Sequence, residues 1–137
     1  MTPSDPRVVV GAAIVDDTGR LLAAQRAGPP ELAGGWEFPG GKVDPGEDDH
    51  TALVRECQEE LGVLVKIGEQ VGGDWPLTGG YVLRVWLAKL SEGEPETREH
   101  LALRWLSVDE LYDVPWLPAD LPVVRAVQGR LDESRTG

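Results

Sequence analysis

The sequence predicts an α/β chain in which a mixed β-sheet lies between helices. Three observations carry that expectation. Apolar runs of strand length recur along the chain, at Val8–Val15, Leu21–Ala24, Tyr81–Leu90 and Leu101–Leu106. A capped amphipathic helix is written over Asp48–Leu61. A second apolar-periodic segment, Leu121–Leu131, brings Val123, Val124, Val127 and Leu131 to one face.

Taken in order, Val8–Val15 is broken by Asp16-Asp17-Thr18-Gly19, a turn signal, and Leu21–Ala24 resumes it, so the two runs read as a hairpin or paired strands. Ala27–Gly35 is a Gly/Pro-rich loop, and Trp36–Phe38 is a short strand entering the Gly40-Gly41 turn. Pro45 and Gly46 turn the chain into the helix, Asp48 and Asp49 suit its N-terminus, and Gly62 suits a left-handed C-cap. Ala52, Leu53, Cys57 and Leu61 form its apolar side. Leu64–Ile67 is a strand candidate, and Gly68–Asp74 has no clear pattern. Ser91–His100 reads as a polar loop, Ser107–Glu110 as a capping box opening a short helix, and Val114–Pro122 as an ordered loop. The tail after Leu131 is expected to fray.

A chain of 137 residues suits one domain with a single modest core. A net charge of −11 argues against a nucleic-acid binder, which needs a basic footprint. No stretch approaches the roughly 18 apolar residues of a membrane span, and MTPSDPRVVV lacks a signal-peptide layout. One cysteine forms no internal disulfide and suits a reducing cytoplasm, and no Cys/His cluster suits zinc. A monomer and a homodimer are both compatible with the sequence.

The most informative segment is Gly41–Val63, GKVDPGEDDHTALVRECQEELGV. Glu56, Glu59 and Glu60 stand at i, i+3 and i+4, so a helix places them on one face within a turn, where like charges repel. Clustered hard oxygen ligands suit Mg²⁺ or Mn²⁺, and a bound cation would cancel the repulsion. A solvated acidic face is the simpler reading of a lone ExxEE, and the other fixed elements weigh against it.

Gly41, Glu47, Arg55-Glu56, Glu59-Glu60 and Leu61-Gly62-Val63, at the spacing they have here, match the Nudix box. Cys57 stands where that family usually has an aliphatic residue, a mild departure because Cys packs as a small hydrophobe. WEFPGGKVDPGE at Trp36–Glu47, AAQR at Ala23–Arg26, EHLALRW at Glu99–Trp105 and PADLP at Pro118–Pro122 resemble the MutT and CTP pyrophosphohydrolase branch of the superfamily. The resemblance covers nearly the whole chain and implies one Nudix domain over residues 1–137, with the α/β/α sandwich of that family.

It also implies a Mg²⁺-dependent hydrolase, with Mn²⁺ as the alternative ion, that cleaves a nucleoside triphosphate into monophosphate and pyrophosphate. The cellular role would be nucleotide-pool sanitation or turnover. Glu56, Glu59, Glu60 and the carbonyl of Gly40 match the family's metal ligands. Glu47 either binds metal through water or pairs with Arg55, and Arg55 either orients a glutamate or touches phosphate. The general base is Glu56 or Glu99, the latter in the REH loop, where a plain surface carboxylate is the simpler reading. Arg26 and Lys42 match substrate-contacting cations, with surface charge as the alternative for each.

His50 and His100 are expected to be structural or solvated, and the five tryptophans to be mostly anchors, with Trp36 and Trp75 weighed as pocket walls. Phe38 sits where MutT-like proteins place a ring beside the base. Asp120 sits where the oxidised-guanine specialist has asparagine. An ionised aspartate only accepts hydrogen bonds, so it favours a base edge presenting donors, such as the cytosine amino group or the N1–H and amino group of guanine. Capping of the last helix is the other reading of Asp120. CTP, dCTP or 5-methyl-dCTP are the leading expectation and 8-oxo-dGTP the alternative. ADP-ribose or a nucleotide sugar, suggested by Pro76, ranks lower. A non-catalytic nucleotide-binding module ranks last, because regulatory relatives usually lose box glutamates and this chain keeps them.

Overall fold

A computed structural model describes residues 7–136, with side chains described through 133. The N-terminal segment before Arg7, which bears on the signal-peptide expectation, lies outside the described residues. Among the described residues, seven strands and two helices follow one another as β1 (Arg7–Ile14), β2 (Leu21–Arg26), β3 (Trp36–Glu37), β4 (Gly40–Lys42), α1 (Asp49–Leu61), β5 (Leu64–Pro76), β6 (Tyr81–Glu92), β7 (His100–Leu106) and α2 (Leu121–Thr136). Short 3-10 turns occupy Thr78–Gly80 and Val108–Glu110.

The strands form two sheets, ordered β4-β1-β6-β5 and β3-β2-β7. The first is mixed: β1 runs parallel to β6 over eight residue pairs and antiparallel to β4. Alternation along β1 and β6 decides which layer each residue joins. Val10, Ala12, Ile14, Trp86 and Ala88 face one way and pack with Ala52, Leu53, Cys57 and Leu61 of α1. Ala13, Leu83 and Val85 face the other way and pack with Val123, Val124, Val127 and Leu131 of α2. The helices therefore cover opposite faces, which is the expected sandwich, with its sheet split in two.

Both helices are held by their apolar stripes. Ala52, Leu53, Cys57 and Leu61 are all fully buried, and removing a side chain such as Leu53 would cost about 2–5 kcal/mol. At the start of α1, Asp48 Oδ1 accepts the Thr51 N–H at 2.7 Å; at the end, Gly62 is left-handed at φ 71°. The capping box at Ser107–Glu110 is present, with the Ser107 N–H donating to Glu110 Oε1 at 2.9 Å.

Three expectations about elements are corrected. β1 and β2 share a single bridge, Val15–Leu21, and then join different sheets. Asp16 Oδ1 gathers the N–H groups of Thr18 and Arg20 into a tight turn, but β1 pairs with β6 and β4 instead of β2. β5 runs through the unpatterned stretch to Pro76, because three register breaks against β6 erase the period-two signal. α2 continues beyond Leu131 to Thr136.

Candidate functional site

α1 carries the box residues past the end of β4, and two glycines make the close approach feasible. Gly40 has φ 153°, and a Cβ there would stand 1.9 Å from the Val10 carbonyl oxygen. A Cβ on Gly41 would stand 2.6 Å from the Glu56 carboxyl carbon. Bare backbone thus lets the carboxylates of α1 lie directly on the strand. The Gly40 N–H donates to Glu60 Oε2 at 2.9 Å.

These elements wall a cleft of about 360 Å³ that gathers Arg26, Gly40, Lys42, Glu56, Glu60 and Glu99 from four segments of the chain. Glu37 and His100 line it too. Glu37 is the group the sequence reading missed, and its signal was its place beside Phe38 in the WEFPGG run. Its Oε1 accepts Arg26 Nη1 at 2.9 Å, and its Oε2 lies 3.2 Å from His100 Nε2. The His100 side chain is 4% exposed, and its Nδ1 has no hydrogen-bond partner among the described residues. His100 is therefore buried on the cleft wall, whereas His50 stands at the surface edge-on to Trp86.

Arg55 is the hub of the acidic face. Its Nε and Nη2 clasp Glu47 at 2.7 and 2.9 Å, and Nη1 reaches Glu56 Oε1 at 3.0 Å and Glu59 Oε2 at 3.2 Å. Hydrogen bonding from Arg55 holds the Glu47 carboxyl down to about 2. Arg55 is raised in turn, chiefly by Glu47. In this geometry Glu47 pairs with Arg55, and Arg55 also hydrogen-bonds Glu56 and Glu59.

Glu56 and Glu60 shift the opposite way from Glu47. Burial pushes Glu60 up to about 8, with the charges of Glu56, Glu37 and Glu99 adding to the effect. Burial likewise raises Glu56 against the pull of Arg55. No basic side chain touches Glu60 among the described residues. A buried carboxylate crowded by carboxylates, in a cleft where Arg26 is already engaged by Glu37, fits a divalent cation. Among the described residues, no three Asp, Glu, His or Cys side chains already cage an ion. Glu59 is exposed and turned to Arg55, so an ion would compete with Arg55 for Glu59 and Glu56.

The remaining predicted residues stand outside the cleft wall. Phe38 is 5% exposed and packs on Trp116 at a ring-centre distance of 5.3 Å. Trp36 is core, and Trp75 donates its indole N–H to the Val71 carbonyl, so neither lines the cleft. Asp120 is buried at the start of α2. Its carboxyl is raised to about 7, by burial first and by the charge of Glu37 second, against the pull of Arg26. Asp120 is therefore not the fully ionised acceptor expected from the sequence; burial holds its carboxyl near its midpoint at neutral pH.

With this geometry in view, the relationships are direct. The model of the NUDIX domain matches residues 5–127, and the chain belongs to that family. It is 50% identical over 117 residues to a Mycobacterium tuberculosis protein named "Putative 8-oxo-dGTP diphosphatase 2", covering 83% of this chain and 82% of that one. It is 40% identical over 121 residues to the CTP pyrophosphohydrolase of Escherichia coli, covering 87% and 90%. The solution structure of the E. coli ORF135 protein superposes with a TM-score of 0.76 at 38% identity, covering 94% of this chain and 92% of that one. The protein is thus a Nudix hydrolase with a MutT-type fold, of a family that acts on nucleotides and generally uses divalent metals such as Mg²⁺. No helix of the described residues is long and apolar enough to cross a membrane.

Proposed function

We propose that this protein is a Mg²⁺-dependent nucleoside triphosphate pyrophosphohydrolase that favours CTP, dCTP or 5-methyl-dCTP and releases monophosphate and pyrophosphate. One observation carries the reading: a single cleft holds the buried carboxyl of Glu60, which no basic side chain touches among the described residues, and the part-buried carboxylate of Glu56, beside Arg26 and Lys42. Carboxylates alone would repel a triphosphate, and cations alone would not hold a metal. Together they suit a polyphosphate that arrives with its counter-ion.

Glu56, Glu59, Glu60 and the Gly40 carbonyl would hold the cation, with Mn²⁺ as a substitute. When bound, the ion supplies charge neutralisation on the phosphates and acidifies a coordinated water. Arg55 keeps Glu56 and Glu59 oriented until they are needed. Lys42 faces the phosphate chain, while Arg26 holds Glu37 in place. The proton of the attacking water goes to Glu56 or Glu99. Both carboxylates line the cleft.

Base choice rests on Glu37 and Asp120. Glu37, tied down by Arg26 and His100, is an acceptor. Asp120 is an acceptor when ionised and a donor when protonated. Cytosine presents an amino donor beside a ring-nitrogen acceptor, which such a pair matches, and the E. coli relative is named for CTP. The second reading is 8-oxo-dGTP, favoured by the name of the M. tuberculosis relative. Either activity would serve nucleotide-pool sanitation in the cytoplasm, carried by one Nudix domain acting as a monomer or homodimer.

The test is steady-state pyrophosphate release with Mg²⁺ across CTP, dCTP, 5-methyl-dCTP, 8-oxo-dGTP and dGTP, with AMP release from ADP-ribose alongside. Higher kcat/KM for cytosine nucleotides is the expected result. A preference for 8-oxo-dGTP selects the second reading, and release only from ADP-ribose overturns both.

A further inference from the structure

Beside the catalytic cleft lies a second and larger cavity, of about 620 Å³, and Lys42 borders both. The ends of three neighbouring strands build it. Arg7 pairs in register with Tyr81 across β1 and β6, and Lys42 of β4 pairs with Val9, two residues along from Arg7. Arg7 Cζ stands 5.4 Å and Lys42 Nζ 5.1 Å from the centre of the Tyr81 ring. Two cations thus converge on one phenol. A hydrogen-bonding contact from Lys42, followed by the charges of Lys42 and Arg7, lowers the Tyr81 pKa.

The acids lining the same cavity are already countered. Glu47 is clasped by Arg55 and Asp49 by Arg84, and Asp44 lies 3.5 Å from Arg55. Neither Arg7 nor Lys42 has a carboxylate partner among the described residues. In a chain of net charge −11, two adjacent cations with no carboxylate partner among the described residues stand out, and they repel each other. An oxyanion between them removes that repulsion. The guanidinium fork matches phosphate, the ammonium adds a point charge, and the phenol adds an O–H donor.

We propose that Arg7, Lys42 and Tyr81 form a phosphate-oxyanion subsite, continuous with the catalytic cleft through Lys42, that takes the distal phosphates of the substrate and then the pyrophosphate they become. This rests on the triphosphate reading above. Arg7 and Tyr81 are its new members, and they act in binding rather than in bond cleavage.

The experiment is calorimetric titration of the full-length protein with inorganic pyrophosphate and Mg²⁺, with nucleoside triphosphate turnover measured in parallel. Wild type is compared with Arg7→Gln, the conservative Tyr81→Phe, and Lys66→Gln as a surface-charge control on β5. The expected result is pyrophosphate binding about tenfold weaker in Arg7→Gln and about threefold weaker in Tyr81→Phe, consistent with loss of charge-assisted hydrogen bonds. Nucleoside monophosphate binding should be unchanged, as should every reading in Lys66→Gln. A non-hydrolysable triphosphate should displace the pyrophosphate. Simultaneous binding of both would overturn the assignment to the substrate's own tail and leave a site for free anions. Unchanged pyrophosphate affinity in both variants, with normal turnover, overturns the subsite alone. Pyrophosphate binding that weakens in the two variants, with a wild type that hydrolyses no triphosphate, would leave the anion subsite standing and overturn the proposed activity.

Discussion

Glu60→Gln should make the metal-free protein more stable at neutral pH and above while destroying its activity. Glu60 is 8% exposed, its folded pKa is about 8, and its ordinary value is 4.5. A raised folded pKa means that the folded state holds a proton the unfolded chain has lost. Its contribution to stability is complete below pH 4.5 and is lost as pH rises through 8. Linkage over that interval amounts to about 1 kcal/mol at pH 5, about 3 at pH 7 and about 4–5 at pH 8.5. Glutamine has no proton to lose, and its amide oxygen can still accept the Gly40 N–H. A poorly paired amide NH₂ would offset the gain by about 1–2 kcal/mol at every pH, so the slope is diagnostic. The stability difference between variant and wild type should widen by about 3–4 kcal/mol from pH 5 to pH 8.5, or roughly 10 °C in Tm for a chain of this size. The assay is thermal unfolding in chelator at both pH values, repeated with Mg²⁺. Mg²⁺ should stabilise wild type far more than the variant, since an ion at a hundred times its Kd adds about 2.7 kcal/mol. Widening below about 1 kcal/mol would refute the claim that Glu60 is a buried charge awaiting a cation.

Glu59→Gln should lower pyrophosphate release at least about 100-fold, equivalent to roughly 3 kcal/mol of transition-state stabilisation. Because Glu59 is exposed, its Tm should hardly move. Arg55→Met should free Glu47, whose carboxyl Arg55 holds at about 2. A depressed carboxylate stabilises above its ordinary pKa of 4.5 and loses that contribution as pH falls toward 2, so the variant should show a shallower loss of stability across that acid window in pH-dependent unfolding. Asp120→Asn should shift the CTP to 8-oxo-dGTP ratio of kcat/KM away from cytosine. In wild type that ratio should change with pH around 7, where Asp120 titrates, and in the variant it should be flat. An unchanged ratio would remove Asp120 from base choice.

Much of this molecule could be read before any coordinates. The helix of Asp49–Leu61 was legible because its caps, its apolar stripe and its acidic face are all local, written within a few residues of each other. The strands β1, β6 and β7 were legible for the same reason. β5 was not, because its bulges depend on pairing with β6 and leave no period in its own residues. The partition of β1 and β2 into different sheets was equally hidden, since a turn signal says that the chain reverses and nothing about which strand each arm will meet.

The site divides along the same line. The i, i+3, i+4 glutamates declare a cation-binding face by themselves, because helical geometry fixes their mutual placement. Whether each glutamate is buried, paired or free depends on what the fold lays against it. Gly40 and Gly41 let Glu60 and Glu56 lie against the strand, burying Glu60 and part-burying Glu56; Arg55 captures Glu47, and Glu59 stays at the surface. Glu37 and His100 lie 63 residues apart in the chain and meet only because β2 carries β3 on one edge and β7 on the other. Arg7, Lys42 and Tyr81 converge for a similar reason, at the ends of three strands that are neighbours only in the sheet. The sequence by itself determined the family, the helix and the acidic face. Burial and long-range strand pairing, which set charge state and company, were decided only by the tertiary structure.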